Sequence, residues 1–118
     1  MTARLEREIL SRGLDDIIQL AEIVSVARFN LGIPEGPDLF AAVAYCLRAL
    51  VGEGLAVVGD LHDSGSPLAI GPWPGDVDAV VERAILEWKE LGRAPNLGEI
   101  CWLELTELGK EAARAAAP

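Results

Sequence analysis

One histidine, two cysteines and one methionine leave this chain of 118 residues few side chains for catalysis or metal binding. Cys46 and Cys101 lie in apolar surroundings (Val43-Ala-Tyr-Cys-Leu and Ile100-Cys-Trp-Leu), and neither belongs to a CxxC pair. They read as small buried hydrophobes, not as zinc ligands or a redox couple. The single histidine, His62, sits among Asp60, Asp63 and Ser64. A metal site or a hydrolytic set there would need three converging ligands or a nucleophile-base-orienter chain. These residues are instead near neighbours on a Gly/Ser/Pro stretch, where such types form turns. No phosphate-binding loop or dinucleotide fingerprint is present, so no catalytic residue, cofactor or metal is expected.

Bases are scarce too. Ten Lys and Arg stand against nineteen Asp and Glu, a formal charge of −9, which favours basic partners and disfavours nucleic acid and anionic membranes. A long apolar run is lacking: the richest stretch, 39–58, is interrupted by Arg48, Gly52, Glu53 and Gly54, which argues against a membrane span. No basic start followed by an apolar segment marks a signal peptide, so a cytoplasmic location is expected.

The chain is nonetheless 51% hydrophobic, enough for one packed domain over 1–118. Leu5, Ile9 and Leu10 predict an amphipathic helix ended by Gly13. Residues 17–20 fit either a brief strand or the start of the next helix, which runs to about Asn30. Pro37 opens a helix whose Leu39, Val43, Cys46, Leu47 and Leu50 share one face. A strand follows over 55–61, then a loop over 62–74 with three Pro and two Gly. Asp76 is a predicted N-cap for a helix over 77–91, and 100–105 reads as a strand leading through Thr106 into a last helix. The strands at 55–60 and 100–105 are expected to pair antiparallel, because neither buries its apolar face alone and closing a long loop adds little entropy.

Two stretches carry a family likeness. Leu50-Val-Gly-Glu-Gly-Leu-Ala-Val-Val-Gly-Asp60 resembles the end of a recognition helix running into the first wing strand of a winged helix-turn-helix domain. Leu103-Glu-Leu-Thr-Glu-Leu-Gly-Lys-Glu-Ala-Ala113 resembles the last wing strand and following helix of the multiple-antibiotic-resistance-regulator type. The resemblance covers roughly 15–61 and 100–115. It implies an α+β, winged-helix-like fold, mostly helical with a small antiparallel wing sheet, in which 62–99 is a wing insertion carrying a helix. The sequence departs from the family pattern at Gly59-Asp-Leu-His-Asp-Ser-Gly65, where the family's wing arginine is missing.

Such a fold serves DNA binding and protein binding alike. A DNA reader would place the helix over 38–51 in the major groove, with Arg48 and Tyr45 as its contacts. Phosphate neutralisation needs Lys and Arg, yet Arg48 is the one base between Phe29 and Glu82, against eight acids. The outer face of that helix carries alanines in place of the Asn, Gln and Arg that read bases. The preferred expectation is therefore a non-catalytic protein-binding module, monomeric or homodimeric, of the bacterial immunity or antitoxin type, covering a basic effector such as a nuclease. Its expected partner site is Trp73, in the extended Gly71-Pro-Trp-Pro-Gly75 segment, ringed by Asp60, Asp63, Asp76 and Asp78. The competing reading has Trp73 plug the gap between the inserted helix and the wing. Trp102 lies between Cys101 and Leu103 in its strand and faces the opposite side, where the inserted helix is expected to pack over it. The alternative function is a winged-helix transcriptional regulator that binds DNA.

Overall fold

The computed structural model describes residues 2–62 and 69–116. Helix α1 (Thr2–Gly13) buries Leu5, Ile9 and Leu10. Its terminal glycine serves close packing: a Cβ on Gly13 would stand 2.8 Å from Leu105 Cγ. The β-branched run that fits two elements becomes both, a two-residue strand β1 (Ile18–Gln19) feeding α2 (Leu20–Ser25). Helix α2 widens into a π-helical turn over Val26–Asn30, closed by Leu31 N–H donating to Val26 O at 3.2 Å.

Helix α3 (Pro37–Gly52) starts with Pro37 in its first turn and buries Leu39, Val43, Cys46, Leu47 and Leu50, the five positions of its periodic stripe. Strand β2 (Ala56–His62) follows. The expected loop over 62–74 holds instead a short strand β3 (Ala69–Pro72), which pairs with β2 from Gly59↔Pro72 to His62↔Ala69. Proline and glycine signalled a loop there, but β3 lies at the sheet edge, where a missing N–H is tolerated. Gly59 makes the pairing sterically feasible, since a Cβ on it would overlap the Gly71 carbonyl.

Asp76 caps α4 (Val77–Leu91) by accepting from the Ala79 N–H at 2.9 Å, and Gly92 closes it at φ +70°. Strand β4 (Trp102–Leu105) leads to α5 (Glu107–Ala116). Thr106 joins the two: its hydroxyl accepts from Gly109 N–H at 3.0 Å and donates to Gly54 O at 2.7 Å.

The four strands form one antiparallel sheet in the order β1-β4-β2-β3. Strand β4 enters between two strands formed earlier in the chain, and its register with β2 runs from Ala56↔Leu105 to Gly59↔Trp102, the pairing expected from the apolar alternation. Ile18, Ala56, Val58, Leu103 and Leu105 point inward and are buried, on the side where α1, α3 and α5 pack. Helix α4 packs mainly on α3, with the Phe40 and Trp88 rings 4.3 Å apart. The fold is thus a compact α+β arrangement of five described helices around a four-stranded antiparallel sheet. Among the described residues no helix is long and apolar enough to cross a membrane.

Candidate functional site

The segment Gly71-Pro-Trp-Pro-Gly75 connects β3 to α4, and the structure turns its tryptophan inward. Trp73 is 5% exposed. Its backbone N–H donates to Val58 O at 3.0 Å, its Nε1 donates to Asp60 Oδ1 at 3.1 Å, and the Arg83 guanidinium of α4 stacks 3.7 Å from the ring centroid. Arg83 is in turn held by Glu87 at 2.9 Å. Expected as an exposed anchor, Trp73 has almost no free area in this arrangement. It fills the corner between the sheet edge and α4, because a buried indole finds both a hydrogen-bond acceptor and a cation there.

The acids predicted to surround it also have internal partners. Asp60 holds the indole, Asp76 caps α4, and Asp78 forms a 2.9 Å ion pair with Arg48 of α3. Asp63 lies outside the described residues. The structure thus places Trp73, Asp60, Asp76 and Asp78 on the segments that fasten α4 to the sheet and to α3. Turn and cap chemistry in the sequence was the available signal for this, since Asp before a helix is first a cap.

The residues of the DNA alternative lie on α3. Arg48 is bound to Asp78, while Tyr45 is exposed at 56%. Tyr45, Ala41 and Ala42 line one side of an open, mostly apolar groove of about 580 Å³, closed by Leu5, Leu31, Ile33 and Pro34 and edged by Arg4 and Asp38. Across the α3 ridge, Phe40, Ala44 and Ile85 line a second groove of about 440 Å³.

A further surface was only half visible in the sequence, through the alternation around Trp102. Opposite residues of paired strands share a face, so Gln19, Trp102, Gly59 and Pro72 run straight across the sheet on the side away from the core. Val57 and Glu104 form the next row on one side of it, and Leu61 and Ile70 the next row on the other. Val57, Leu61, Ile70 and Trp102 are half-buried and do not join the core cluster. The inserted helix was expected to cover Trp102. Instead α4 lies chiefly on α3, and the neighbour of the indole is the 92–99 loop: a Cβ on Gly98 would stand 3.9 Å from Trp102 Cζ2.

That loop is tightly braced. Arg93 grips Glu99 with two hydrogen bonds of 2.7 and 2.9 Å, Asn96 N–H donates to the same carboxylate at 2.7 Å, and Gly98 N–H donates to Gln19 Oε1. The Arg93 guanidinium and the Asn96 amide together hold the Glu99 carboxyl down at about 2. Ile100, just beyond, sits at φ +73°, a conformation that is strained for a β-branched residue. At the tip, Leu97 is 80% exposed.

Burial drives both thiols up to about 12, aided by Glu6 near Cys46 and by Glu87 and Asp60 near Cys101. They are not thiolates near neutral pH. Glu6 is itself raised, by desolvation first and then by Glu53. Among the described residues no three His, Cys, Asp or Glu side chains converge as a metal site would require. No family model, curated protein or solved structure matches the chain.

Proposed function

We propose that the protein is a non-catalytic protein-binding module for a basic partner, in the manner of a small cytoplasmic immunity or antitoxin-type inhibitor that covers an effector such as a nuclease. The observation that carries this reading is the disposal of positive charge. Arg48, the one base on α3, is occupied by Asp78; Arg28, Arg83 and Arg93 are likewise held by Glu35, Glu87 and Glu99. What remains outward is predominantly acidic, a field that speeds association with a basic protein and repels a polyanion.

The second reading is a winged-helix regulator that binds DNA. It is favoured by the strand arrangement: β4 lies between β1 and β2 after a run of three helices, as a winged-helix core with β3 and α4 inserted in its wing would require. In that reading α3 enters the groove with Tyr45 and Arg48, and the Arg48–Asp78 pair weighs against it, because a guanidinium already matched by a carboxylate has little left for phosphate.

Co-expression with the proteins encoded beside it tests the choice. A stable complex in which an effector loses activity supports inhibition. A salt-dependent, sequence-selective duplex complex at nanomolar protein, weakened by Arg48→Ala, would overturn it in favour of the regulator.

A further inference from the structure

We infer that the docking surface for a basic protein partner is the outer face of the sheet, formed by Trp102, Val57, Leu61 and Ile70 and walled by the braced loop that carries Leu97. The inference rests on the protein-binding reading and assigns it a surface different from the one around Trp73.

Three observations converge on this face. First, its apolar side chains do not join the core, and Trp102 stands at its centre. A large, partly buried aromatic among aliphatic residues is the composition of an interface core. Second, the neighbouring wall is rigid. The Arg93–Glu99 fork, the Asn96 amide and the Gln19 tie fix the loop before any partner arrives, so Leu97 is displayed at little further cost in ordering. Third, the charged side chain among the described residues of this face, Glu104, is an acid. The four described strands contain no Lys or Arg, Glu104 stands beside Val57, and Asp15 and Asp16 lead into β1. The nearest base on the loop, Arg93, is neutralised by Glu99.

That combination selects the occupant. A second copy of the chain would set carboxylates against carboxylates, and nucleic acid or an anionic lipid surface would be repelled in the same way. A protein segment bearing Leu-type anchors between lysines or arginines satisfies both the apolar centre and the acidic edge.

The test uses the full chain, isotopically labelled, titrated with a synthetic amphipathic helix of leucine and lysine and with its leucine–glutamate counterpart. The expected result is saturable binding of the lysine peptide, with amide shifts confined to β2, β3, β4 and residues 92–99. Binding should weaken at least tenfold with Glu104→Lys and severalfold with Leu97→Ala, both outward positions whose melting curves verify folding. Equal binding of the glutamate peptide, no binding of either, or shifts gathered on the α3 grooves would overturn the inference. A natural partner complex that forms unchanged with both variants would overturn this surface while leaving the protein-binding reading intact; absence of any partner, with the peptide result as expected, would do the reverse.

Discussion

Arg48 and Asp78, thirty residues apart, meet across α3 and α4 in a 2.9 Å hydrogen-bonded ion pair. One is the residue on which a DNA-binding reading depends, and the other belongs to the acidic set assigned to a protein partner. Joined, they do neither task freely: they pin α4 to α3. Both side chains are largely exposed, so the pair contributes little to stability, ~0–1 kcal/mol. Arg48→Ala is accordingly expected to change the unfolding free energy by less than about 1 kcal/mol. Duplex binding, measured by salt titration, should stay at nonspecific levels, weaker than about 10⁻⁶ M, with or without Arg48. Tight, sequence-selective binding by the wild type would sink this expectation.

Trp73→Ala removes a buried indole, leaves the Asp60 carboxylate without its donor and takes away the surface on which Arg83 lies. A loss of about 3–5 kcal/mol in urea unfolding is expected. Trp73→Phe should cost less, because it keeps most of the volume. A loss below about 1 kcal/mol for the alanine variant would mean that the corner repacks or that the indole spends much of its time outside it.

Two glycines separate close approach from helix propensity. Gly59 has no left-handed backbone to protect, yet a Cβ on it overlaps the Gly71 carbonyl. Gly59→Ala must therefore push β3 from β2, at a cost of about 1–3 kcal/mol or more. Gly52 lies in the last turn of α3, where a Cβ would meet Val77 Cγ1 at an ordinary 3.9 Å. Gly52→Ala is expected to be neutral or stabilising, by up to about 1 kcal/mol. Paired thermal melts of the two variants decide the matter, and equal effects would contradict the steric argument.

Glu99 gives a pH test. Its carboxyl lies at about 2 in the folded chain against an ordinary 4.5. A carboxyl depressed by folding stabilises the fold above its ordinary value and loses that contribution as pH falls toward the folded value. Between about 4.5 and 2 the loop should therefore loosen. Carbon-detected titration of the Glu99 carboxyl should show a midpoint near 2, returning toward 4.5 in Arg93→Ala. An unshifted midpoint in the wild type would show that the fork does not persist in solution.

Helices were legible wherever one apolar stripe met one neighbour: the α3 stripe and the Asp76 cap could be read from spacing alone. The β2–β4 pairing was legible because each strand has one apolar face to hide. Strand β3 was not, since its proline and glycine suit a loop and an edge strand equally. The direction of Trp73 was not legible either. Flanking prolines fix an extended backbone but leave open which side the indole takes, and that is decided by Asp60, thirteen residues away, and by Arg83 on another helix. Trp102 shows the same limit. Its outward alternation could be read, but whether a helix covers it depends on where α4 comes to rest, and α4 prefers the alanine and aromatic side of α3.

The strand order also bears on how the chain assembles. Strands β2 and β3 form a local hairpin, and α4 follows directly, so these parts collapse through short-range contacts. Strand β4 must instead travel back from beyond α4 to enter the middle of the sheet, linking β1 at one edge to β2. Its contacts span the largest sequence separations in the sheet, and loop-closure entropy has to be overcome before they form. Insertion of the central strand is thus expected to be the slow, committing event of folding, and until it occurs the open edges of β1 and β2 remain available for pairing with another chain.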